Sequence, residues 1–150
     1  MRLIAHRGLL FGPDKELENS PEQITRALDQ GFDCEVDVRY IDGRWILGHD
    51  TPDYLVEYSF LEQPRLWIHA KNLEALYVMS ADAKLNFFWH QEDDFTLTSQ
   101  GYIWTYPGKT LTMNSVCVMP EWTDPGFVDI NSLDCYGICS DYVVKIKESL

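Results

Sequence analysis

The sequence predicts one domain of the α/β class, a shortened and irregular TIM-type β/α barrel with reduced helices. Two observations favour this fold. About seven short apolar segments alternate with turn residues and helical patterns, as in a parallel sheet with crossover helices. The length of 150 residues is typical of one domain and is below the roughly 200 or more that a full barrel needs, which indicates a shortened barrel. Several crossovers must therefore be loops, and an open doubly wound sheet is the rival architecture.

Local signals mark the first strand and the first helix. Residues 3–5 are apolar and run into a turn at Gly8, which predicts a short strand. Ser20, Pro21 and the glutamine that follows form a capping-box pattern, so a helix should begin at Pro21. Gly31 predicts the C-terminal end of that helix.

Residues 32–40 show the two-residue alternation of a strand, with apolar and charged side chains on opposite sides. Glu35 and Asp37 therefore share one face. The Asp-Gly pair that follows predicts a tight hairpin turn, and residues 45–47 form the returning strand. This hairpin brings His49 back toward the two carboxylates.

The rest of the chain supplies the remaining elements of the predicted fold. Residues 73–83 predict a helix with Leu73, Leu76 and Tyr77 on its apolar face, and residues 95–100 leave room for about one helical turn. The other predicted core strands are residues 66–68, 85–89, 102–104, 116–119 and 136–139.

The charge of the chain limits its partners. A formal net charge of -12 repels polyanions, and no basic cluster is present, so nucleic-acid binding is not expected. The first residues lack an apolar run long enough for a signal peptide or a membrane span, which predicts a cytoplasmic protein. The spacing of the four cysteines indicates free thiols.

Four histidines follow predicted strands: His6, His49, His69 and His90. The carboxyl ends of parallel strands meet on one face, which is the usual place for an active site, so these four side chains should converge. Glu35 and Asp37 can chelate a hard divalent cation there. The alternative for the two acids is an ordinary solvent-exposed strand face.

Several short motifs follow one another along the chain: Ile4-Ala5-His6-Arg7-Gly8, Glu18-Asn19-Ser20, Gly31-x-Asp33-x-Glu35-x-Asp37-Val38, Asp42-Gly43 and Gly48-His49-Asp50. Their order resembles that of the glycerophosphodiester phosphodiesterases. The resemblance is dense over roughly the first 50 residues, and residues 138–142 are similar to the end of that family's last barrel strand, which implies a closed barrel.

The resemblance implies a role for each residue. His6 and His49 are expected to be the acid-base pair, Glu35 and Asp37 metal ligands, and Arg7 a phosphate contact. In the family's reaction, a hydroxyl of the substrate's glycerol attacks phosphorus and expels the alcohol, and water then opens the cyclic phosphate. The implied cofactor is a divalent metal cation: Mg²⁺, Ca²⁺ or Mn²⁺.

The sequence departs from the family pattern at one metal ligand. Lys71 matches the family's phosphate-contacting lysine, but His69 stands where the family has a glutamate. Imidazole can bind a metal and favours softer ions such as Mn²⁺ or Zn²⁺ over Mg²⁺ or Ca²⁺. The site is therefore either a variant with His69 as the third ligand or a weak metal site.

Further predictions concern the substrate and the partners. His90 and Trp104 are candidates for a substrate pocket, and the expected substrate is a small phosphodiester such as a glycerophosphodiester. A noncatalytic phospholigand-binding or interaction domain, and an enzyme acting on another phosphodiester, are the alternatives. Reduced helices would leave apolar surface that a homodimer would bury.

Overall fold

The computed structural model covers residues 1–150, with ten β-strands in one sheet, four α-helices and three short 3₁₀ turns. The strands are β1 (Arg2–Ala5), β2 (Asp33–Ile41), β3 (Arg44–Leu47), β4 (Tyr54–Val56), β5 (Leu66–Ala70), β6 (Phe87–Phe88), β7 (Phe95–Leu97), β8 (Ile103–Thr105), β9 (Ser115–Val118) and β10 (Gly137–Ser140). The helices are α1 (Pro21–Asp29), α2 (Tyr58–Leu61), α3 (Leu73–Met79) and α4 (Val143–Ser149).

Seven parallel strands form the centre of the sheet, in the order β6, β5, β2, β1, β10, β9 and β8. Each overlaps one of the apolar segments in the sequence, so the predicted parallel core is confirmed. The hairpin of β3 and β4 extends β2 in antiparallel fashion, and β7 is antiparallel to β8. Residues 95–97 thus form a strand where the sequence predicted a helical turn.

The predicted TIM-type β/α barrel is wrong. The sheet curls into a half-barrel that stays open, because no ladder joins β6 to β7 or β8. Only 24% of the residues are helical, and no α-helix connects β8 to β9 or β9 to β10. A chain of 150 residues cannot place a helix after every strand. The expected closure is therefore wrong as well, although β10 does pair with β1.

The helices cover the outer face of the curled sheet. Ile24, Leu61, Ala75 and Val143, one from each helix, are buried in the same cluster as Val36 of β2. Helices on a single face also exclude the doubly wound alternative, which has helices on both. None of these helices combines the length and the apolar surface that a membrane span requires. The inner face of the sheet buries its own cluster of Ile4, Trp67, Phe88, Trp104, Val116 and Cys139.

The predicted start of α1 at Pro21 and its predicted end near Gly31 are confirmed. Ser20 Oγ accepts a hydrogen bond from the Gln23 backbone N–H at 3.3 Å, which caps the first turn. The Gln23 side chain does not complete the capping box, because its amide donates to the Gly8 carbonyl at 2.9 Å. Gly31 ends the helix with φ at +89°. Both residues of the Asp-Gly turn after β2 also have positive φ, as a tight hairpin requires.

The predicted apolar face of α3 is wrong at Leu73 and Tyr77, although Leu76 does pack against the core. The helix buries Ala75 and Met79, whereas Leu73 and Tyr77 are exposed. Asn72 caps the helix, and its amide exchanges two hydrogen bonds with the backbone of β2. These bonds set the rotation of the helix about its axis, and the small Ala75 side chain permits its close approach to the sheet.

Candidate functional site

A cleft of about 350 Å³ lies at the carboxyl ends of the parallel strands. Every side chain that the sequence predicts as a catalytic, metal-binding or substrate-binding group lines it. The parallel topology explains this convergence, because strands that are distant in sequence end at the same edge. The role of each side chain stays a prediction. The converging residues are His6, Arg7, Glu35, Asp37, His49, His69, Lys71, His90 and Trp104.

Glu35, Asp37 and His69 form a group that could hold a metal ion. Asp37 of β2 lies beside His69 of β5 in the parallel ladder. His69 Nδ1 is 3.0 Å from Asp37 Oδ1 and 3.8 Å from Glu35 Oε1, and one ligand atom from each residue lies within 4.8 Å of the others. Both carboxylates are buried, which excludes the alternative of a solvent-exposed acidic face.

Asp37 is held from several directions. The Asn19 amide donates to Asp37 Oδ2 and accepts from the Asp37 backbone N–H, both at 2.9 Å, and Arg7 Nε is 3.3 Å from Oδ2. Burial raises the pKa of Asp37, but the His69 contact and the charges of His69 and Arg7 outweigh it and hold the pKa well below its usual range. Asp37 Oδ1 is buried without a hydrogen bond of good geometry, so it fits a metal ligand.

Glu35 sits next to that charge on the same strand face. Burial, followed by the negative charge of Asp37, raises the pKa of Glu35. The Arg7 backbone N–H donates to Glu35 Oε2 at 3.1 Å, and His6 Nε2 lies 4.0 Å from the same oxygen. Two buried carboxylates repel each other, and a divalent cation would offset this repulsion. The donor set therefore fits a divalent cation.

His6 follows β1 and is oriented by a buried carboxylate. Its Nδ1 lies 2.7 Å from Asp141 Oδ1, which leaves Nε2 as the free ring nitrogen. Glu121 Oε1 accepts hydrogen bonds from the Asp141 backbone N–H at 3.0 Å and from Ser140 Oγ at 2.8 Å. Burial lowers the pKa of His6, but the Asp141 hydrogen bond and the charge of Glu35 outweigh it and raise the pKa overall.

His49 lies on the loop between β3 and β4. The Arg39 guanidinium donates to the carbonyls of Gly48 and His49, which fixes this loop against β2. His49 Nδ1 is 2.7 Å from Asp50 Oδ1, so Nε2 is again the free nitrogen. Burial, together with the charges of Arg7 and other nearby cations, lowers the pKa of His49 below its usual value.

Arg7 and Lys71 bring two positive charges into the cleft. Arg7 has a left-handed backbone conformation with φ at +52°, and its Nη1 donates to Glu18 Oε2 at 2.8 Å. The Lys71 ammonium is 3.9 Å from Asp37 Oδ1, beyond hydrogen-bond distance, so its donors stay available to an anion. Both cations could therefore contact a bound phosphate.

Aromatic side chains line another part of the cleft. Trp104 packs on Phe88 with ring centroids 4.7 Å apart, and Tyr106 meets Trp122 edge to face at 6.4 Å. Trp122 is 61% exposed at the mouth of the cleft. His90 Nδ1 is buried without a partner, and burial lowers the pKa of this ring. A neutral His90 can hydrogen-bond a polar ligand beside this aromatic surface.

Sequence reasoning missed several residues that support the site. Asn19 and Glu18 belong to the motif series, but no role was predicted for them. The sequence likewise predicts no catalytic or binding role for Asp141, whose carboxylate pairs with His6 in the structure. Nothing in the sequence marks Glu121 as the residue that holds Asp141, because its position depends on the pairing of β9 with β10.

The comparisons with known proteins do not assign the chain to a family. No protein-family model matches it, and the searches of curated proteins and of solved structures give no match. The resemblance to the glycerophosphodiester phosphodiesterases therefore stays a prediction from the motifs.

Proposed function

We propose that the protein hydrolyses a small phosphodiester, such as a glycerophosphodiester, with the help of a divalent metal cation. The observation that carries this proposal is the composition of one cleft. It combines two histidines bonded to carboxylates, a group able to hold a metal ion, and two cations. These are the groups that phosphoryl transfer needs: proton carriers, charge neutralisation and a phosphate clamp.

The charge distribution favours a small substrate. The net charge of -12 repels a polyanion such as nucleic acid. Within the cleft, Arg7 and Lys71 offset this field locally and would bind the phosphate oxygens. The volume of about 350 Å³ suits a small molecule, and the aromatic surface near Trp104 would contact the alcohol portion of the substrate.

Glu35, Asp37 and His69 would hold the cation. Bound there, Mg²⁺, Ca²⁺ or Mn²⁺ would neutralise a phosphoryl oxygen as negative charge develops in the transition state. The Asn19 amide orients the Asp37 carboxylate for this task, and the Arg7 guanidinium lies beside it.

His6 and His49 would move the protons. The environment raises the pKa of His6 and lowers that of His49, so near neutral pH His49 is the better base and His6 the better acid. His49 Nε2 takes the proton of the attacking hydroxyl as its oxygen bonds to phosphorus. The bond from phosphorus to the leaving oxygen breaks, and that oxygen receives a proton from His6 Nε2.

The nucleophile depends on the substrate. With a glycerophosphodiester, a glycerol hydroxyl attacks first, the alcohol leaves and a cyclic phosphodiester forms. Water then adds to phosphorus, the ring P–O bond breaks, and the two histidines return to their starting protonation states. The net reaction consumes one water and yields an alcohol and a phosphomonoester.

A noncatalytic phospholigand-binding domain is the second candidate, and the position of His69 favours it. A protonated His69 only 3.0 Å from Asp37 would neutralise this carboxylate without a metal ion. Arg7 and Lys71 would still bind a phosphate. This candidate predicts phospholigand binding without hydrolysis and no effect of His6→Ala on binding.

Alcohol release from a panel of glycerophosphodiesters tests the proposed activity. Purified protein is assayed with Mn²⁺, Mg²⁺, Ca²⁺ or a chelator, beside His6→Ala and His49→Ala. We expect metal-dependent turnover that falls by about 10²–10⁴-fold in each variant, the usual contribution of general acid-base catalysis.

Lys71→Ala and Lys84→Ala provide a matched pair of lysine variants. Lys71 lines the cleft, whereas Lys84 is exposed at the opposite end of the sheet. Lys71→Ala should raise KM and Lys84→Ala should leave it unchanged. Absence of turnover with every substrate and metal, in protein that melts cooperatively, would favour the binding domain.

A further inference from the structure

We infer that His69 binds the metal ion through Nδ1, and that this nitrogen makes the site prefer first-row transition dications such as Mn²⁺ and Co²⁺ over Mg²⁺ and Ca²⁺. The inference rests on the metal site of the proposed function and deepens it.

The ring nitrogens of His69 have different partners. Nε2 lies 3.0 Å from the backbone carbonyl oxygen of His90, and a carbonyl can only accept a hydrogen bond. Nε2 is therefore the nitrogen that carries the proton. In the neutral ring Nδ1 then has a free lone pair, and a backbone hydrogen bond on the other nitrogen is the usual partner of a metal-bound histidine.

The free nitrogen points at the two carboxylates. Nδ1 is 3.0 Å from Asp37 Oδ1 and 3.8 Å from Glu35 Oε1, and Asp37 Oδ1 is buried without a hydrogen bond of good geometry. A lone pair that faces two carboxylate oxygens is repelled unless a cation or a proton lies between them. The geometry thus allows two states, a metal ion or a doubly protonated ring, and the experiment below separates them.

The orientation of the ring is fixed by its neighbours. Phe88 stacks on His69 with ring centroids 5.1 Å apart and an interplanar angle of 7°. The ladder between β2 and β5 places His69 directly beside Asp37. The backbone carbonyl and the stacked ring both restrict rotation of the His69 side chain. Nδ1 is therefore already oriented toward the position that the ion would occupy.

The charge around the group disfavours hard cations. Mg²⁺ and Ca²⁺ are bound by oxygen ligands and depend on the negative charge of those ligands. Here only two carboxylates contribute, and Arg7 and Lys71 lie 3.3 and 3.9 Å from Asp37. Imidazole nitrogen binds Mn²⁺, Co²⁺ and Zn²⁺ more readily than it binds Mg²⁺ or Ca²⁺. The third ligand therefore decides the selectivity.

Metal binding to chelator-treated protein tests the inference without any need for turnover. Calorimetric titrations with Mn²⁺, Co²⁺, Mg²⁺ and Ca²⁺ give the affinities, and electron spin echo spectroscopy of the Mn²⁺ form detects a directly bound ¹⁴N nucleus. We expect ¹⁴N coupling in the unaltered protein and its loss in His69→Glu. We also expect His69→Glu to reduce the preference for Mn²⁺ over Mg²⁺ by about tenfold or more.

His90→Ala is the matched control for the nitrogen signal. The His90 ring is 6.2 Å from the His69 ring, while the bond to Nε2 comes from the His90 backbone, so the variant should keep the ¹⁴N coupling. Thermal unfolding of each variant shows whether it is folded. If His69→Glu does not fold, His69→Gln removes the same nitrogen with less change in charge.

The possible outcomes distinguish this inference from the proposed function. Failure of Mn²⁺ and Co²⁺ to bind would overturn the inference and favour the doubly protonated ring. Binding without ¹⁴N coupling, or with coupling that persists in His69→Glu, would overturn it even if the protein hydrolyses phosphodiesters. Metal binding with ¹⁴N coupling but without hydrolysis would support it and contradict the proposed function alone.

Discussion

At the scale of single residues, neighbouring carboxylates orient the two histidines that are expected to move protons in the cleft. Asp141 binds Nδ1 of His6 and Asp50 binds Nδ1 of His49, so both imidazoles keep Nε2 free. The histidines themselves are predictable, because they follow apolar strands. Asp141 is not predictable as a partner of His6, because 135 positions separate the two residues and only the pairing of β1 with β10 brings them together.

Asp141→Asn and Asp50→Asn should differ in effect. The Asp141 side chain is 8% exposed and that of Asp50 is 68% exposed, so solvent weakens the Asp50 pair far more. We expect Asp141→Asn to lower kcat by about tenfold to a hundredfold with little change in KM, as for other residues that orient a functional histidine. Asp50→Asn should have a smaller effect. Equal losses in steady-state assays would contradict this.

Asn19→Ala should destabilise the fold. Asn19 is fully buried, and its amide makes two hydrogen bonds to Asp37. Removal of this amide leaves the buried backbone N–H without an acceptor, which costs about 1–3 kcal/mol. Urea unfolding measures the loss, and Asn114→Ala is the exposed control, expected within about 0.5 kcal/mol of the unaltered protein. A similar change in both variants would contradict the role of Asn19.

At the scale of elements, alternation and turn signals predict strands better than they predict helix faces. The Glu35 and Asp37 face of β2 was predicted correctly, because a strand has only two faces. The buried face of α3 was not, because hydrogen bonds from Asn72 to β2 set its rotation. β7 was missed because three residues are too few to show a period.

Gly48→Ala should disturb the loop that carries His49. Gly48 has φ at +143°, and a Cβ atom there would overlap the Thr51 carbonyl oxygen. Gly101 also has positive φ, at +86°, but its Cβ would meet open space, so Gly101→Ala introduces only backbone strain. We expect a large loss of kcat in Gly48→Ala alone. Unchanged turnover in Gly48→Ala would show that the position of His49 is not critical.

At the scale of the whole molecule, the sequence predicts the parallel strands and their order of appearance but not the closure of the sheet. Closure would require a ladder between β6 and β8. In its place, Ser99 in the turn between β7 and β8 makes two hydrogen bonds with Phe87 of β6: its backbone N–H donates to the Phe87 carbonyl, and its hydroxyl oxygen accepts from the Phe87 N–H. Several apolar side chains remain exposed outside the cleft, such as Leu55 and Leu97. The homodimer that would cover such surface stays a prediction.

Glu35→Gln should weaken metal binding and raise the stability of the metal-free protein. Glu35 and Asp37 are buried like charges, and glutamine can still accept the Arg7 backbone N–H through its carbonyl oxygen. We therefore expect the metal-free variant to melt about 2–4 °C above the unaltered protein. Added Mn²⁺ at about 100 times Kd should stabilise the unaltered protein by about 2.7 kcal/mol and the variant by much less. A lower melting temperature for the metal-free variant would contradict this account.

The central claim is that the cleft cleaves a phosphodiester with a metal ion bound by Glu35, Asp37 and His69. The most direct test is a ³¹P NMR time course of a glycerophosphodiester with metal-loaded protein, beside the same sample with excess chelator. We predict that the substrate signal is replaced by a phosphomonoester signal, with or without a transient cyclic phosphate, only in the metal-loaded sample. An unchanged spectrum with folded, metal-loaded protein, or equal conversion in the presence of chelator, would contradict the claim.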